Sequence, residues 1–547
     1  MKNRIKMPAL SATVLALLLL LLPPSALATP VSFEQDVAAI VAAKKMRDKE
    51  SIIDRLAAST DPRALQVIKA LQTGELYYRK SDRALVYARR QQSQMHISDV
   101  LSTADWGLVN KSTLKKVSIN NKLRNQMREL LAERMLLHPD STIRLKAARD
   151  LSKNIDIKNN VIIERTLASE KNPKVIEALN NASALIGLQS PLEAERLLAI
   201  AKLEGSTSQL AMAKLAGMVE VDDSGAYREA SDKVRAAAAM QLKKMQGAAQ
   251  FFNFLENLFF GVSYGSVLLL AAVGLAITFG VMGVINMAHG EMIMLGAYTT
   301  YVVQLVMPNF IEYSLLVAIP AAFLVSGAMG VLIERTVIRH LYGRPLETLL
   351  ATFGISLVLQ QLVRSVFSPL NKTVITPEWL SGSMEINGFL SLTYNRLYII
   401  VFSIIVLLAL IFILKKTFVG LQMRAVTQNR AMANSMGIRA GWVDALTFGL
   451  GSGIAGIAGV ALSQLTNVGP NLGQAYIIDS FMVVVFGGVG NLFGTFFAAL
   501  SLGIANKFIE PAAGAVLAKI IVLIFIVLFI QWRPRGLFAI KGRFVED

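Results

Sequence analysis

Apolar and polar positions divide the 547 residues into two stretches of different character. From Thr29 to about Gln250 no run is apolar enough to cross a bilayer, and apolar residues recur instead at helical spacing. Leu65, Ile68 and Leu71 share one face behind the helix-opening pair Asp61-Pro62. Similar openings precede three further stripes. Asp140 to Ile143 comes before Leu145, Ala148 and Leu151; Asn172 to Val175 before Ala178, Leu179 and Leu185; Ser231 to Val234 before Ala237 and Leu242. In each, a short polar side chain stands where it can accept hydrogen bonds from the free N–H groups of a first turn. Ile143 and Val175 are 32 positions apart, which suggests a helical solenoid of the HEAT kind. The interval to Val234 is irregular, so a plain helical domain is equally open.

Near Phe251 the pattern changes. Apolar segments follow at roughly 258–280, 285–306, 314–334, 349–367, 397–415, 442–465, 477–490, 491–508 and 515–532. A crossing helix needs about 20 such residues. The expected fold is all-α, with a polytopic membrane domain of about nine crossings, or eight, behind a helical domain. The uncertainty in number lies in 477–508, which contains Gly487, Gly488, Gly490 and Gly494. It is too long for one comfortable span and short for two, so a broken helix pair is expected, with its backbone covered by protein. At the other end, Lys2, Arg4 and Lys6 precede an apolar run from Val14 to Leu22, Pro23-Pro24 and Ala26-Leu27-Ala28. That is the pattern of a secretory signal cleaved after Ala28, against the alternative of an uncleaved anchor. The domains expected are a signal peptide at 1–28, an exported helical domain at 29–250 and a membrane domain at 251–547.

Charge sets the orientation. The chain is 54% hydrophobic and 17% charged, with 55 Lys and Arg against 38 Asp and Glu, a net charge of +17. The apolar content favours basic loops at a membrane surface over a nucleic-acid partner. Arg335, Arg339 and Arg344 form one basic cluster; Lys415, Lys416, Arg424, Arg430 and Arg439 form a second; Arg533, Arg535, Lys541 and Arg543 form a third. By the positive-inside rule these clusters are cytoplasmic. An exported amino-terminal domain requires an odd number of crossings before each cluster, and the segments provide it if 477–508 crosses twice. The chain has no cysteine, which excludes disulfides, thiolate nucleophiles and cysteine metal sites. No metal site is expected.

Polar residues at membrane depth are costly and face a bundle interior or a water-filled path. Asn286, His289, Glu291, Asn467 and Asp479 are the candidates for a substrate path, with Glu334 and Asn491 also within or beside spans. Capping and interhelical hydrogen bonding are the alternative roles. Gly449, Gly453 and Gly456 in one span, with Gly490 and Gly494 in another region, are expected to permit close helix packing. The loop from Met423 to Ile438 has helix-forming composition, small residues at Ala431 and Ala433 and a terminating Gly437. A short helix on the membrane face with a small-residue surface would suit insertion into a groove on a partner.

The runs Gly261 to Ser266 and Gly280 to Tyr298 resemble permeases of the branched-chain amino acid ABC importer family. Glu334-Arg335 with Leu350 to Ser356, the loop Arg424 to Ile438, and Arg533 to Phe538 resemble the same family in the same order. The resemblance covers about residues 251–543. It implies that 424–438 is the segment coupling to a cytoplasmic ATPase, with Arg424, Gln428, Arg430, Ala431, Ala433 and Gly437 in that role. The chain has no G-x-x-x-x-G-K-S/T loop, so it is expected to be a transport subunit and not an enzyme, binding no cofactor itself, with ATP on partner subunits. The implied partners are a second related permease, two cytoplasmic ATPase subunits, a periplasmic solute-binding protein and the bilayer of the bacterial inner membrane. The long exported extension is similar to the urea-type permease of the family, so urea is the expected substrate. Branched-chain amino acids and short amides are alternatives. A passive channel or secondary transporter would lack the coupling loop. Gly451-Ser452-Gly453 with His289 faintly resembles an intramembrane serine protease, but no local motif links them. A sensor would need a signalling module.

Overall fold

A computed structural model describes residues 33–538, apart from 44, 60, 92–93, 154–156, 158 and 222–225. The expected leader, Lys541 and Arg543 lie outside the described residues. Two compact units are found, Met1–Lys243 and Lys244–Asp547.

The first unit begins with helices α1 (Phe33–Ala42), α2 (Met46–Ala58) and α3 (Pro62–Thr73). Their apolar faces, including Ile53, Leu56, Val67, Ile68 and Leu71, form one core with Leu123 and Met127 of α4 (Asn121–Leu136). Between α3 and α4 lies a five-stranded antiparallel sheet that the helical reading did not contain. Its strands are β1 (Leu76–Arg79), β2 (Leu85–Gln91), β3 (Gln94–Asp99), β4 (Asp105–Val109) and β5 (Leu114–Lys116), ordered β4-β3-β2-β1-β5. Val86, Ala88, Met95 and Ile97 alternate onto one buried face, the period-two signature of a half-buried sheet.

Helices α5 (Ser141–Lys153), α6 (Asn159–Leu167), α7 (Pro173–Gly187), α8 (Glu193–Lys202) and α9 (Gln209–Val219) follow. The four polar openings act as read from the sequence. Asp61 accepts from Arg63 N, Asp140 from Thr142 N, Asn172 from Lys174 N and Ser231 from Val234 N. One arginine device recurs here. Arg144, Arg196 and Arg235 each donate to two backbone carbonyls just before their own helix. Arg144 and Arg196 also hold Glu170 and Glu229.

Helix α10 (Asp232–Met282) is 51 residues long. The compositional step near residue 250 is therefore not a break in secondary structure: nothing between Ser231 and Met282 stops a helix except isolated glycines. The second unit continues with α11 (His289–Val306), α12 (Ile311–Thr336), α13 (Pro345–Phe367), the hairpin β6 (Ser383–Asn387) and β7 (Leu390–Thr393), and α14 (Tyr394–Lys416). Two short helices, α15 (Phe418–Gln428) and α16 (Arg430–Ser435), precede α17 (Ala440–Ser463), α18 (Leu472–Gly487), α19 (Leu492–Ala513) and α20 (Ala515–Trp532). Among the described residues, seven helices are long and apolar enough to cross a membrane: α10, α12, α13, α14, α17, α19 and α20. The stretch 477–508 is resolved into two helices, and the turn between α18 and α19 uses Gly488 and Gly490 at positive φ.

Glycines let the helices of the membrane unit approach closely, against side chains in some places and backbone in others. Helix α17 packs on α11 and α12 through its glycines. A Cβ on Gly453 would stand 2.6 Å from the Phe323 ring, and one on Gly449 would stand 2.6 Å from Val331 Cγ2. Gly456 faces Ala322 and Ser326, Gly494 faces Gly487, and Gly490 faces Gly280. Without the hydrophobic effect between helices in lipid, such close contact supplies the dispersion energy that holds spans together.

Candidate functional site

Helix α11 does not begin at the end of the bundle. After Met282 the chain turns at Gly283, where φ is +68°, and residues 283–288 are not helical. His289 then places Nε2 2.8 Å from the carbonyl of Ala271 in α10. Ala271 lies about 16 Å along α10 from its end, roughly half a hydrocarbon core. The connection thus climbs back into the bundle and starts α11 inside it. Irregular backbone at such depth is tolerated only where protein or water satisfies it. Here Thr352 Oγ1 accepts from Met287 N at 3.1 Å, and Asn286 Oδ1 accepts from Ala288 N at 3.0 Å.

Helix α18 is the second short one, and its first turn meets that of α11. A Cβ on Gly290 would stand 2.6 Å from the Gly473 carbonyl oxygen. From this meeting point α11 runs away from the basic clusters, while α18 runs toward the turn docked against Leu537 and Phe538. Two helix amino termini, each equivalent to a partial positive charge, are therefore placed together inside the membrane unit.

The buried polar groups gather here. Glu291 Oε1 accepts from Ser356 Oγ at 2.9 Å and from Gln360 Nε2 at 2.7 Å, both on α13. Asn286, His289 and Glu291 are at most 1% exposed. Each keeps one polar atom without a protein partner: Asn286 Nδ2, His289 Nδ1 and Glu291 Oε2. Buried groups left unsatisfied cost free energy, so three in one loop and first turn call for polar partners beyond those the protein supplies.

The other two path candidates are elsewhere. Asn467 is exposed, in the loop after α17. Asp479 lies in α18 but accepts from Tyr264 Oη and Lys519 Nζ, both at 3.0 Å, in a separate cluster. Ser356, Gln360 and Thr352 join the site through tertiary contacts that the sequence analysis did not assign to them. Their signal was available: with Thr348 they recur every four residues along α13, a polar stripe on an apolar helix.

The 423–438 loop forms two helices joined at Asn429, whose side chain caps the second by accepting from Met432 N. Gly437 ends that helix with φ +86°. Arg424 donates to the Leu414 carbonyl, and Arg430 to Asp444 Oδ2 at 2.5 Å. Gln428 and Ala431 are exposed. Ala433, expected on the outer surface, is instead buried against Met423, Val426 and Val443. Its spacing from those neighbours turns it inward, and the outward apolar residues are Met432 and Met436, 65% and 78% exposed.

Comparison with known proteins follows the same stretch of chain. Residues 257–530 match the family of the branched-chain amino acid transport system permease component. The chain belongs to that family. The permease is 31% identical over 300 residues to the high-affinity branched-chain amino acid transport system permease protein LivH of Escherichia coli, covering 53% of this chain and 96% of that one. It is 28% identical over 297 residues to BraD of Pseudomonas aeruginosa, with 53% and 96% covered. A probable LivH of Methanocaldococcus jannaschii is 25% identical over 296 residues, with 52% and 91% covered. No solved structure matches the permease. The matches take in nearly all of each relative but only half of this chain, so the first unit is additional to them.

Proposed function

We propose that this permease is the membrane-spanning subunit of an ATP-driven importer in a bacterial inner membrane, with urea as its solute. The observation that carries the coupling is the platform of α15 and α16, tied to α17 by Arg430 while Met432 and Met436 project outward among basic residues. An apolar tip with a basic surround fits insertion into a groove on a separate ATPase subunit. In this reading two ATPases, a second related permease and an exported solute-binding protein complete the importer. The basic loops support a cytoplasmic platform and carboxyl terminus, and the leader pattern at 1–28 supports an exported first unit.

The solute passes the meeting point of α11 and α18. Urea has a carbonyl oxygen that the helix amino termini attract and amide hydrogens that Glu291 Oε2 can accept. Asn286 and His289 supply further hydrogen-bonding atoms. ATP-driven movement of the platform alternates access to this point from the two sides. A second reading, import of a branched-chain amino acid, is favoured by the names of the relatives: a carboxylate also suits two helix amino termini, and an ammonium group suits Glu291.

The test is uptake of labelled urea and labelled leucine by cells carrying or lacking the gene, with and without ATP depletion. Loss of energy-dependent urea uptake alone supports the urea reading. Loss of leucine uptake alone replaces the solute and keeps the importer. Uptake that survives ATP depletion rejects the ATP-driven mechanism.

A further inference from the structure

The basic ends of α12 and α17 contain two carboxylates that packing does not require. Glu334 of α12 and Asp444 of α17 each have side chains 1% exposed. They lie close enough to act on each other electrostatically, and the hydroxyl of Tyr342, in the loop after α12, donates to Glu334 Oε1 at 3.3 Å. One oxygen of each carboxylate, Glu334 Oε2 and Asp444 Oδ1, has no hydrogen-bond partner. Three cations act on the pair, Arg339 at longer range and two others more closely. Arg335, stacked on Trp442 at 4.2 Å, reaches Glu334 only at 3.7 Å. Arg430 makes the closer contact, 2.5 Å to Asp444, and its guanidinium lies 4.4 Å over the Tyr342 ring. Arg430 alone of this set comes from the platform, at the first residue of α16, and its side chain is 43% exposed.

We propose that Arg430 is a removable counter-ion. When the platform is drawn away from the bundle, Asp444 loses its closest counter-ion beside Glu334, which keeps Arg335 at 3.7 Å, and the repulsion between the two buried carboxylates parts the basic ends of α12 and α17. When the platform returns, the charges are compensated and the two helices close. Removing one partner of a buried pair is far more costly than removing both, because it leaves an uncompensated charge. The helices concerned are the right ones to move the solute site. Ser326 of α12 donates to the Met292 carbonyl of α11 at 3.0 Å, and Gly456 and Gly459 of α17 sit against α11. Arg430 is thus a positioning residue. The inference rests on the importer reading, but the charge arrangement is testable without any partner.

The sequence contains no cysteine, so spin labels placed at Thr336→Cys and Gly441→Cys, both exposed, report the separation of α12 and α17 in the full chain. Arg430→Ala should lengthen that distance. The double variant Arg430→Ala with Asp444→Asn, which leaves no unpaired charge, should restore it. A distance unchanged in Arg430→Ala, or equally long in the double variant, overturns the proposal. Should the single variant not fold, Arg430→Gln serves in its place. In native membranes, both variants should lose about tenfold or more in solute uptake per ATP hydrolysed, since neither can cycle the charge. Wild-type uptake per ATP in the double variant overturns the proposal. Absence of ATP-driven uptake in the wild type instead rejects the importer reading and leaves the distance result standing.

Discussion

One of the close helix contacts in the membrane unit gives a quantitative test. A Cβ placed on Gly459 of α17 would lie 2.7 Å from Ala297 N and 3.0 Å from Ile293 C in α11, and nearer still to the Ile293 carbonyl oxygen. Ordinary contacts of this type are 3.4–4 Å. All of the atoms met are backbone, so no side chain can swing aside and Gly459→Ala must push the two helices apart. Overpacking of this kind costs about 1–3 kcal/mol. The substitution also gains about 0.5–1 kcal/mol because alanine loses less backbone entropy in a helix. Gly354 of α13 isolates the second effect, since a Cβ there meets nothing within 4 Å. The helix-propensity gain is common to both variants and cancels in their difference. Gly459→Ala should therefore be less stable than Gly354→Ala by about 1–3 kcal/mol. The assay is unfolding of the purified chain in mixed micelles with rising SDS, followed by circular dichroism, with solute uptake measured in parallel. Equal midpoints for the two variants would refute the close approach of α11 and α17. A destabilised Gly459→Ala with full uptake would keep the packing but refute the idea that this contact positions the site.

Three further outcomes are expected. Glu291→Gln should leave the chain folded, because Gln keeps an oxygen for Ser356 and Gln360, yet lower uptake by about tenfold or more through loss of the second acceptor; uptake kinetics in the same cells check it. In the first unit, Arg144 holds the Glu170 carboxyl down at about 2, aided by the N–H groups of Lys171 and Asn172 against the opposing effect of burial. A depressed carboxyl stabilises the fold above its unfolded value near 4.3 and loses that contribution as pH falls toward 2. Arg144→Ala should therefore cost about 2–4 kcal/mol at pH 7, with the gap from wild type narrowing below about pH 4, read by hydrogen exchange in α5 to α7. Finally, Asp479→Ala, Lys519→Ala and the double variant should show a coupling of about 0.5–3 kcal/mol in a mutant cycle, since Lys519 and Tyr264 share one carboxylate oxygen.

Much of the fold is legible because it depends on local signals. Asp61, Asp140, Asn172 and Ser231 cap the helices they precede, a contact decided within four residues of chain. The apolar segments correspond to helices because lipid leaves backbone groups no other partner. The sheet at 76–116 was missed for a different reason. Its strands are three to seven residues long, and the helical stripes behind Asp61 and Asp140 on either side dominate a helical reading. Val86, Ala88, Met95 and Ile97 carried the alternation that would have found it. The site divides in the same way. Asn286, His289 and Glu291 stand out as polar residues beside an apolar run, whereas their grouping with Ser356 and Gln360 is a tertiary fact. Asp479 has the same local character as Glu291 and yet belongs to another cluster, because only packing decides which side of α18 faces which neighbour.

Helix α17 links these observations into one mechanical argument. At its basic end Asp444 receives the platform through Arg430, and in its middle Gly449, Gly453 and Gly456 leave it no slack against α12. Farther along, Gly459 bears on the first turns of α11, the helix that carries Glu291. A helix packed through side chains can absorb a push by changing rotamers; one packed backbone to backbone transmits it. The first turn of α11 follows residues 283–288, which are not helical, and Asn286, His289 and Glu291 each retain an unsatisfied atom. The closely packed α17 and the helix that carries Glu291 are therefore in direct contact. That arrangement predicts that bulk added to the glycine face of α17 should impair uptake more than the same bulk added to Gly354 on α13, where a Cβ meets open space.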